Sequence, residues 1–276
     1  MKLMRILAII MLVSVFCAPA LTAAENQEFV ELNWWDHFGL GFKYTLEDYT
    51  DLKIADRRVP RNDLGLIFNY PTVSDQNNAE IIRWKESSEI IDLHWTNGIG
   101  AGNLDLYIGF GSVQLESTFN NDSMSMGGDS FEAGATLKFN AGRKWQAILE
   151  ANYTTGEAEN STLNQVDLAN EKLTYEWDKF ILSLTASKKF KYSDWTLKPY
   201  AGIMYSTLNV NEEYLAFHLV NITRLEMDLE NDSSTQLRAA MGVYIEIPGN
   251  YPEINTEFAI GSDSTYNLIF SLVQYF

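Results

Sequence analysis

The chain has 276 residues, a formal net charge of −17 at neutral pH, 46% hydrophobic and 13% aromatic residues, three histidines and a single cysteine. So acidic a chain is a poor partner for nucleic acid, or for anionic lipid over a broad surface, because both repel it. One cysteine supports neither a disulfide framework nor a thiolate metal site, and the mean hydropathy is close to zero.

Met1-Lys2-Leu3-Met4-Arg5 is a short basic start, Ile6 to Ala18 is an apolar stretch broken only by Ser14, and Pro19-Ala20-Leu21-Thr22-Ala23-Ala24 supplies small residues. A stretch of thirteen residues is too short for a permanent helical span, which needs about 20. The segment 1–24 therefore reads as a cleaved secretory signal, cut after Ala23 or Ala24. Cys17 lies inside it, and Phe16 before it argues against a lipoprotein signal. The mature chain, 25–276, is expected to carry no thiol and a charge of −19 once Lys2 and Arg5 are removed from the −17 total.

From Phe38 onward, segment after segment shows one apolar and one polar face at a period of two, as strands do. In chain order these are 38–44, 64–70, 81–85, 90–95, 104–110, 131–139, 145–153, 180–186, 195–205, 237–247, 254–260 and 266–276. Ser87-Ser88 is taken as a turn, which separates 81–85 from 90–95. The expectation is twelve strands, with ten or fourteen as alternatives. Aromatic residues recur at the ends of the apolar faces, as in Phe131 and Phe139, Trp145 and Tyr153, and Trp195 and Tyr205. That placement suits the two interfaces of a bilayer. The turn-like stretches 140–143, 191–194 and 248–252 are short, whereas 116–130, 156–177 and 207–234 are long and polar.

The last strand alternates Tyr266, Leu268, Phe270, Leu272, Gln274 and ends on Phe276. It resembles the closing strand of bacterial outer-membrane β-barrels, in which a C-terminal aromatic serves as an assembly signal. Here the resemblance implies that role for Phe270, Leu272 and Phe276. At the level of architecture the whole of 25–276 resembles the porin-like superfamily. This implies an all-β, closed antiparallel transmembrane barrel in the bacterial outer membrane of a Gram-negative cell, with short periplasmic turns and long extracellular loops. Expected partners are outer-membrane lipid, lipopolysaccharide and the barrel-assembly machinery, with the barrel itself a monomer.

Two classes of outer-membrane barrel are enzymes. The phospholipase class uses a His-x-Ser pair, which does not occur around His37, His94 or His218. The omptin proteases use an Asp-His pair facing an Asp pair; Asp92-Leu93-His94 has the local spacing, but its strand runs towards the periplasmic end and no Asp-x-Asp partner is present. No enzymatic activity, cofactor or metal is expected. Acidic loop residues such as Glu157, Glu159, Glu226 and Asp228 read as solvated charge, and Gly98–Gly102 as a turn.

The polar face carries Lys43, Arg83, Lys85, Asp92, His94, Asp105, Glu132, Lys138, Glu150, Lys198, Arg238, Glu246 and Glu257 as candidate lumen-lining residues. Acids and bases nearly balance. They either pair into a network that fills a closed barrel or line opposite walls of a water-filled pore. Inward glycines leave room for a channel, or for Tyr107, Tyr200 and Tyr244 to pack. The expectation is a small porin-like channel passing small polar solutes or ions; the alternative is a non-conducting barrel acting in envelope structure or surface binding through its acidic loops.

Overall fold

The computed structural model describes residues 38–54, 80–99, 102–119, 122–141, 144–164, 169–218, 223–248, 251–261 and 265–276. Their strands are β1 (Phe38–Ile54), β2 (Glu80–Ile99), β3 (Gly102–Phe119), β4 (Asp122–Ala141), β5 (Trp145–Asn164), β6 (Ala169–Lys188), β7 (Phe190–Tyr192), β8 (Trp195–His218), β9 (Thr223–Glu246), β10 (Glu253–Gly261) and β11 (Tyr266–Tyr275). Neighbours in sequence pair antiparallel from β1 to β6, β6 pairs with β8, and the ladder continues to β11. β11 then pairs with β1 from Gly39↔Tyr275 to Asp48↔Tyr266, which closes a ring of ten. β7 pairs only with the start of β8 and is not a stave of that ring. The N–H of Phe276 donates to the carbonyl of Phe38 at 3.0 Å, so the final residue extends the closing seam. Closure removes the unpaired edges that a sheet cannot expose to hydrocarbon.

The barrel thus has ten staves, not twelve. Ser87 and Ser88 are not a turn but lie within β2, where they pair with Gln114 and Val113 of β3. Segment 64–70 lies outside the described residues, and β1 pairs directly with β2, so nothing intervenes between them in the ring. Most of the stretches expected to be long loops are strand as well: β3 and β4 pair out to Phe119↔Asp122, β5 and β6 to Asn164↔Ala169, and β8 and β9 to His218↔Thr223. The described residues of the turn-like stretches, 140–141, 191–194, 248 and 251–252, all fall at the end of the barrel that holds Phe276.

Eight of the staves run to 17–24 residues, about twice the roughly 9–11 that a tilted strand needs to cross a bilayer. The two halves of these long strands follow opposite patterns. Near the Phe276 end the outward side chains are apolar: Phe42 on β1, Ile91 and Leu93 on β2, Ile108 and Phe110 on β3, Leu184 on β6 and Ile203 on β8 are all exposed on the outer wall. Trp145 and Trp195 sit exposed at the margin of that band, where an indole meets the headgroup region.

Farther from Phe276 the outward positions turn polar, with Glu89, Ser112, Asp129, Glu157 and Glu176 exposed. The inward positions become apolar instead: Tyr49, Trp84, Val113, Leu115, Met126, Ala158, Tyr175, Trp177 and Leu208 form one buried cluster. The strand keeps its period of two while its hydrophobic phase inverts. In β2 the inversion falls between buried Ile90 and exposed Ile91. Below it the barrel solves the problem of lipid outside; above it, the problem of water outside. A charge on the lower wall should be costly: Leu184→Arg, next to Leu149 across the ladder, is expected to destabilise the folded barrel by about 2–4 kcal/mol. Urea unfolding in lipid vesicles reads this directly, and an unchanged midpoint would place Leu184 off the lipid face.

Candidate functional site

The interior is built from the inward residue of each pair. Lys43, Thr45, Glu47 and Tyr49 on β1 share one face, as do Trp84, Glu86, Ser88, Ile90, Asp92 and His94 on β2. Facing them across the ring, β6 contributes Tyr175, Trp177, Lys179, Ile181 and Ser183. The indole of Trp84 meets the ring of Tyr175 edge-on at a centroid distance of 5.4 Å and that of Trp177 at 5.9 Å. β2 and β6 are separated by three staves, so these contacts run across the lumen, not along its wall.

Beneath the aromatic cluster lies a group of four charges. Lys179 Nζ donates to Glu47 Oε2 at 2.7 Å and to Glu86 Oε1 at 3.0 Å. The Arg238 guanidinium pairs with the other oxygen of Glu47 and lies over the ring of Tyr49, 4.7 Å from its centroid. All four side chains are at most 3% exposed. Two acids and two bases leave no net charge in the group, and each ion has an opposite partner. That balance is what makes burial tolerable, since a lone buried ion costs several kcal/mol or more. In the ring of ten, β6 is five staves from β1 in either direction. The ion pair between Lys179 and Glu47 therefore spans the barrel's diameter.

Below this ceiling is a polar cavity of about 100 Å³ that reaches towards Tyr275 and Glu253 at the Phe276 end. Its walls are linked by hydrogen bonds. Lys43 pairs with Glu132; Asn152 Nδ2 donates to Glu132 at 3.1 Å and to the Tyr107 hydroxyl at 2.9 Å. That hydroxyl donates to Glu150 at 3.1 Å. Across the cavity Tyr200 Oη donates to Glu257 at 2.9 Å. Two inward glycines make room for these tyrosines. Tyr107 lies over its cross-strand partner Gly134, and Tyr200 over Gly242, in space that a Cβ would otherwise fill. Gly134→Val would displace the Tyr107 ring from its bonds, and overpacking of this kind is expected to lower stability by about 1–3 kcal/mol, measurable as a reduced urea midpoint; no change would mean the ring has another place to go.

His94 is held between two carboxylates, with Nδ1 2.9 Å from Asp105 and Nε2 3.4 Å from Asp92. Tyr107 stacks on its ring at 5.3 Å. Both ring nitrogens are engaged, and the residue lies at the level of Gly39 and Tyr275, near the Phe276 end of the lumen.

Of the candidate lumen residues, Lys43, Asp92, His94, Asp105, Glu132, Lys138, Glu150 and Glu257 line this one cavity. Lys198 and Glu246 pair with each other where β8 begins and β9 ends, and Arg238 belongs to the group of four. Lys85 does not line the lumen: it alternates with buried Trp84 and Glu86 and pairs with exposed Glu116 at 3.6 Å on the outer wall. The assumed turn at Ser87-Ser88 put it on the wrong face. The side chain of Arg83 lies outside the described residues. Glu47, Glu86 and Lys179 were not singled out from the sequence, although each continues an inward series at spacing two: Lys43-x-Thr45-x-Glu47, Trp84-x-Glu86-x-Ser88 and Lys179-x-Ile181-x-Ser183.

A closed antiparallel barrel, lipid-facing on one band and packed across its interior, defines a bacterial outer-membrane β-barrel protein. Residues 92–256 match the Autotransporter beta-domain family, and the chain belongs to that family. The broad resemblance to porin-like barrels narrows accordingly. Among solved structures it is similar to the beta domain of the Bordetella autotransporter BrkA, at 11% identity over 87% of this chain and 100% of that one, with a TM-score of 0.44. It is also similar to the translocator domain of the autotransporter NalP from Neisseria meningitidis, at 11% identity over 93% and 92% of the two chains, TM-score 0.41. A third is an outer membrane channel from Pseudomonas putida, at 11% identity over 90% and 100%, TM-score 0.37. No curated protein matches the chain in sequence.

Proposed function

We propose that this protein is a non-conducting outer-membrane barrel: a rigid, lipid-anchored wall that carries an acidic surface beyond the membrane and acts in envelope structure or surface binding. The small porin-like channel is the less well supported reading. The observation that carries the proposal is the ion pair between Lys179 and Glu47, which joins diametrically opposite staves. A lysine that bridges the lumen, with the aromatic contacts of Trp84 to Tyr175 and Trp177 at the next level up, supports a closed interior. The exposed outward acids Glu89, Asp129, Glu157 and Glu176 support a surface role. The two engaged nitrogens of His94 favour a structural, non-catalytic residue.

Liposome swelling tests the reading. Vesicles carrying the folded barrel should swell in iso-osmotic arabinose no faster than empty vesicles. Swelling that rises with the amount of folded barrel would overturn the proposal and restore the channel.

A further inference from the structure

The cavity beneath the charged ceiling has a composition of its own. Its lining holds seven carboxylates against three lysines and His94. Some of these acids are answered: Glu132 by Lys43, Glu253 by Lys138 at 3.8 Å, and Glu86 by Lys179. Glu150 and Glu257 form no close ion pair among the described residues: their hydrogen bonds come from Tyr107 and Tyr200 respectively, and Lys43, already paired with Glu132, is the cation they share. The lining therefore holds more acidic than basic side chains, seven against four when His94 is counted with the lysines.

A second, independent observation concerns hydrogen bonding. Asn267 is 1% exposed, lines the cavity and has neither its amide nitrogen nor its oxygen bonded. One oxygen each of Asp92, Asp105 and Glu86, all buried and all in the lining, is likewise unbonded. Buried polar groups are normally paired, and four of these five atoms are acceptors. What would satisfy them is a donor-rich occupant carrying positive charge.

We infer that the lumen cavity is a binding site for a small organic ammonium ion, such as a short-chain primary amine or diamine. Its size suits one: at ~10–15 Å³ of such volume per water, about 100 Å³ holds several waters or one short chain. The lining favours an organic cation over a bare metal ion, because the described residues contain no group of three or more His, Cys, Asp or Glu side chains placed to hold a metal. The mouth is at the Phe276 end, where the side chains of Lys138 and Glu253 are 18% and 34% exposed, whereas that of Asp92, farther in, is 3% exposed. The inference rests on the closed-lumen reading, because the Lys179 ceiling gives the cavity its blind end.

The test is isothermal titration of 1,4-diaminobutane into the folded barrel in detergent at constant ionic strength, with calcium chloride and glucose titrated separately. Saturable binding of the diamine is expected, at least tenfold weaker in Glu150→Gln and in Glu257→Gln and unchanged in Glu157→Gln on the outer wall. Heat-dependent gel mobility checks that each variant is folded. Absence of diamine binding to the folded parent, equal binding of calcium, or undiminished binding in both Glu150→Gln and Glu257→Gln would each overturn the inference. A barrel that proves impermeable yet binds no diamine would refute this site alone, leaving the closed-lumen reading intact.

Discussion

Lys179→Met is expected to destabilise the folded barrel by about 3–5 kcal/mol, the range for breaking a buried ion pair by removing one partner. The substitution keeps an unbranched stem of similar length, so packing changes little. What changes is the charge of the group. Glu47 and Glu86 are 0% and 1% exposed at their side chains, and without Lys179 only Arg238 remains to answer both. The comparison that isolates this cause is the double variant Lys179→Met with Glu86→Gln, which restores neutrality. It should recover a large part of the loss in a urea unfolding series followed by tryptophan fluorescence and gel mobility. A double variant as unstable as the single one would show that the loss arises from packing and not from stranded charge.

Trp84→Ala should be as damaging for a different reason. Trp84 is 1% exposed and forms ring contacts with Tyr175 and Trp177 across the lumen. Truncation removes the contacts and leaves a cavity where seven staves converge, at a cost of about 3–5 kcal/mol. Ile91→Ala, on the lipid face immediately below the inversion, provides the contrast: it is 61% exposed within the protein and leaves no internal void. The two variants should therefore separate widely in urea midpoint. Equal midpoints would mean that the aromatic cluster contributes no more than the outer wall does.

How much of this was legible in the sequence follows the hydrophobic phase. Where lipid lies outside, the alternation is unbroken, and Leu104-x-Leu106-x-Ile108-x-Phe110 gave both the strand and its outward face. Most lumen residues in the same stretches, from Lys43 to Glu257, followed from that parity. Beyond the lipid band the rule inverts, and a search for continued apolar-outward alternation sees an ending. Ile90-Ile91 places two apolar residues in a row on opposite faces; with Ser87-Ser88 just before, the natural inference was a turn. The same inversion made 116–130, 156–177 and 207–234 look like loops, since their outward residues are polar in water. The ladder itself does not depend on side-chain polarity and simply continues.

The components of the ceiling were legible only in part. Tyr49, Trp84 and Trp177 keep inward parity with Lys43, Asp92 and Lys179, so extending each strand by one phase change would have found them. Which of them meet across the lumen was not available from local pattern. That Lys179 faces Glu47 follows from a ring of ten, which sets β6 opposite β1; a ring of twelve would have set a different strand there. The strand count, not the residue pattern, therefore decided whether the lumen looked open or spanned.

Single-channel recording in a planar bilayer tests the central claim most directly. Folded, signal-free barrel, verified by its heat-dependent mobility, should insert and give no conductance steps at any moderate voltage. Stable, reproducible steps from the unmodified protein would contradict a lumen closed by Lys179 and the Trp84 cluster.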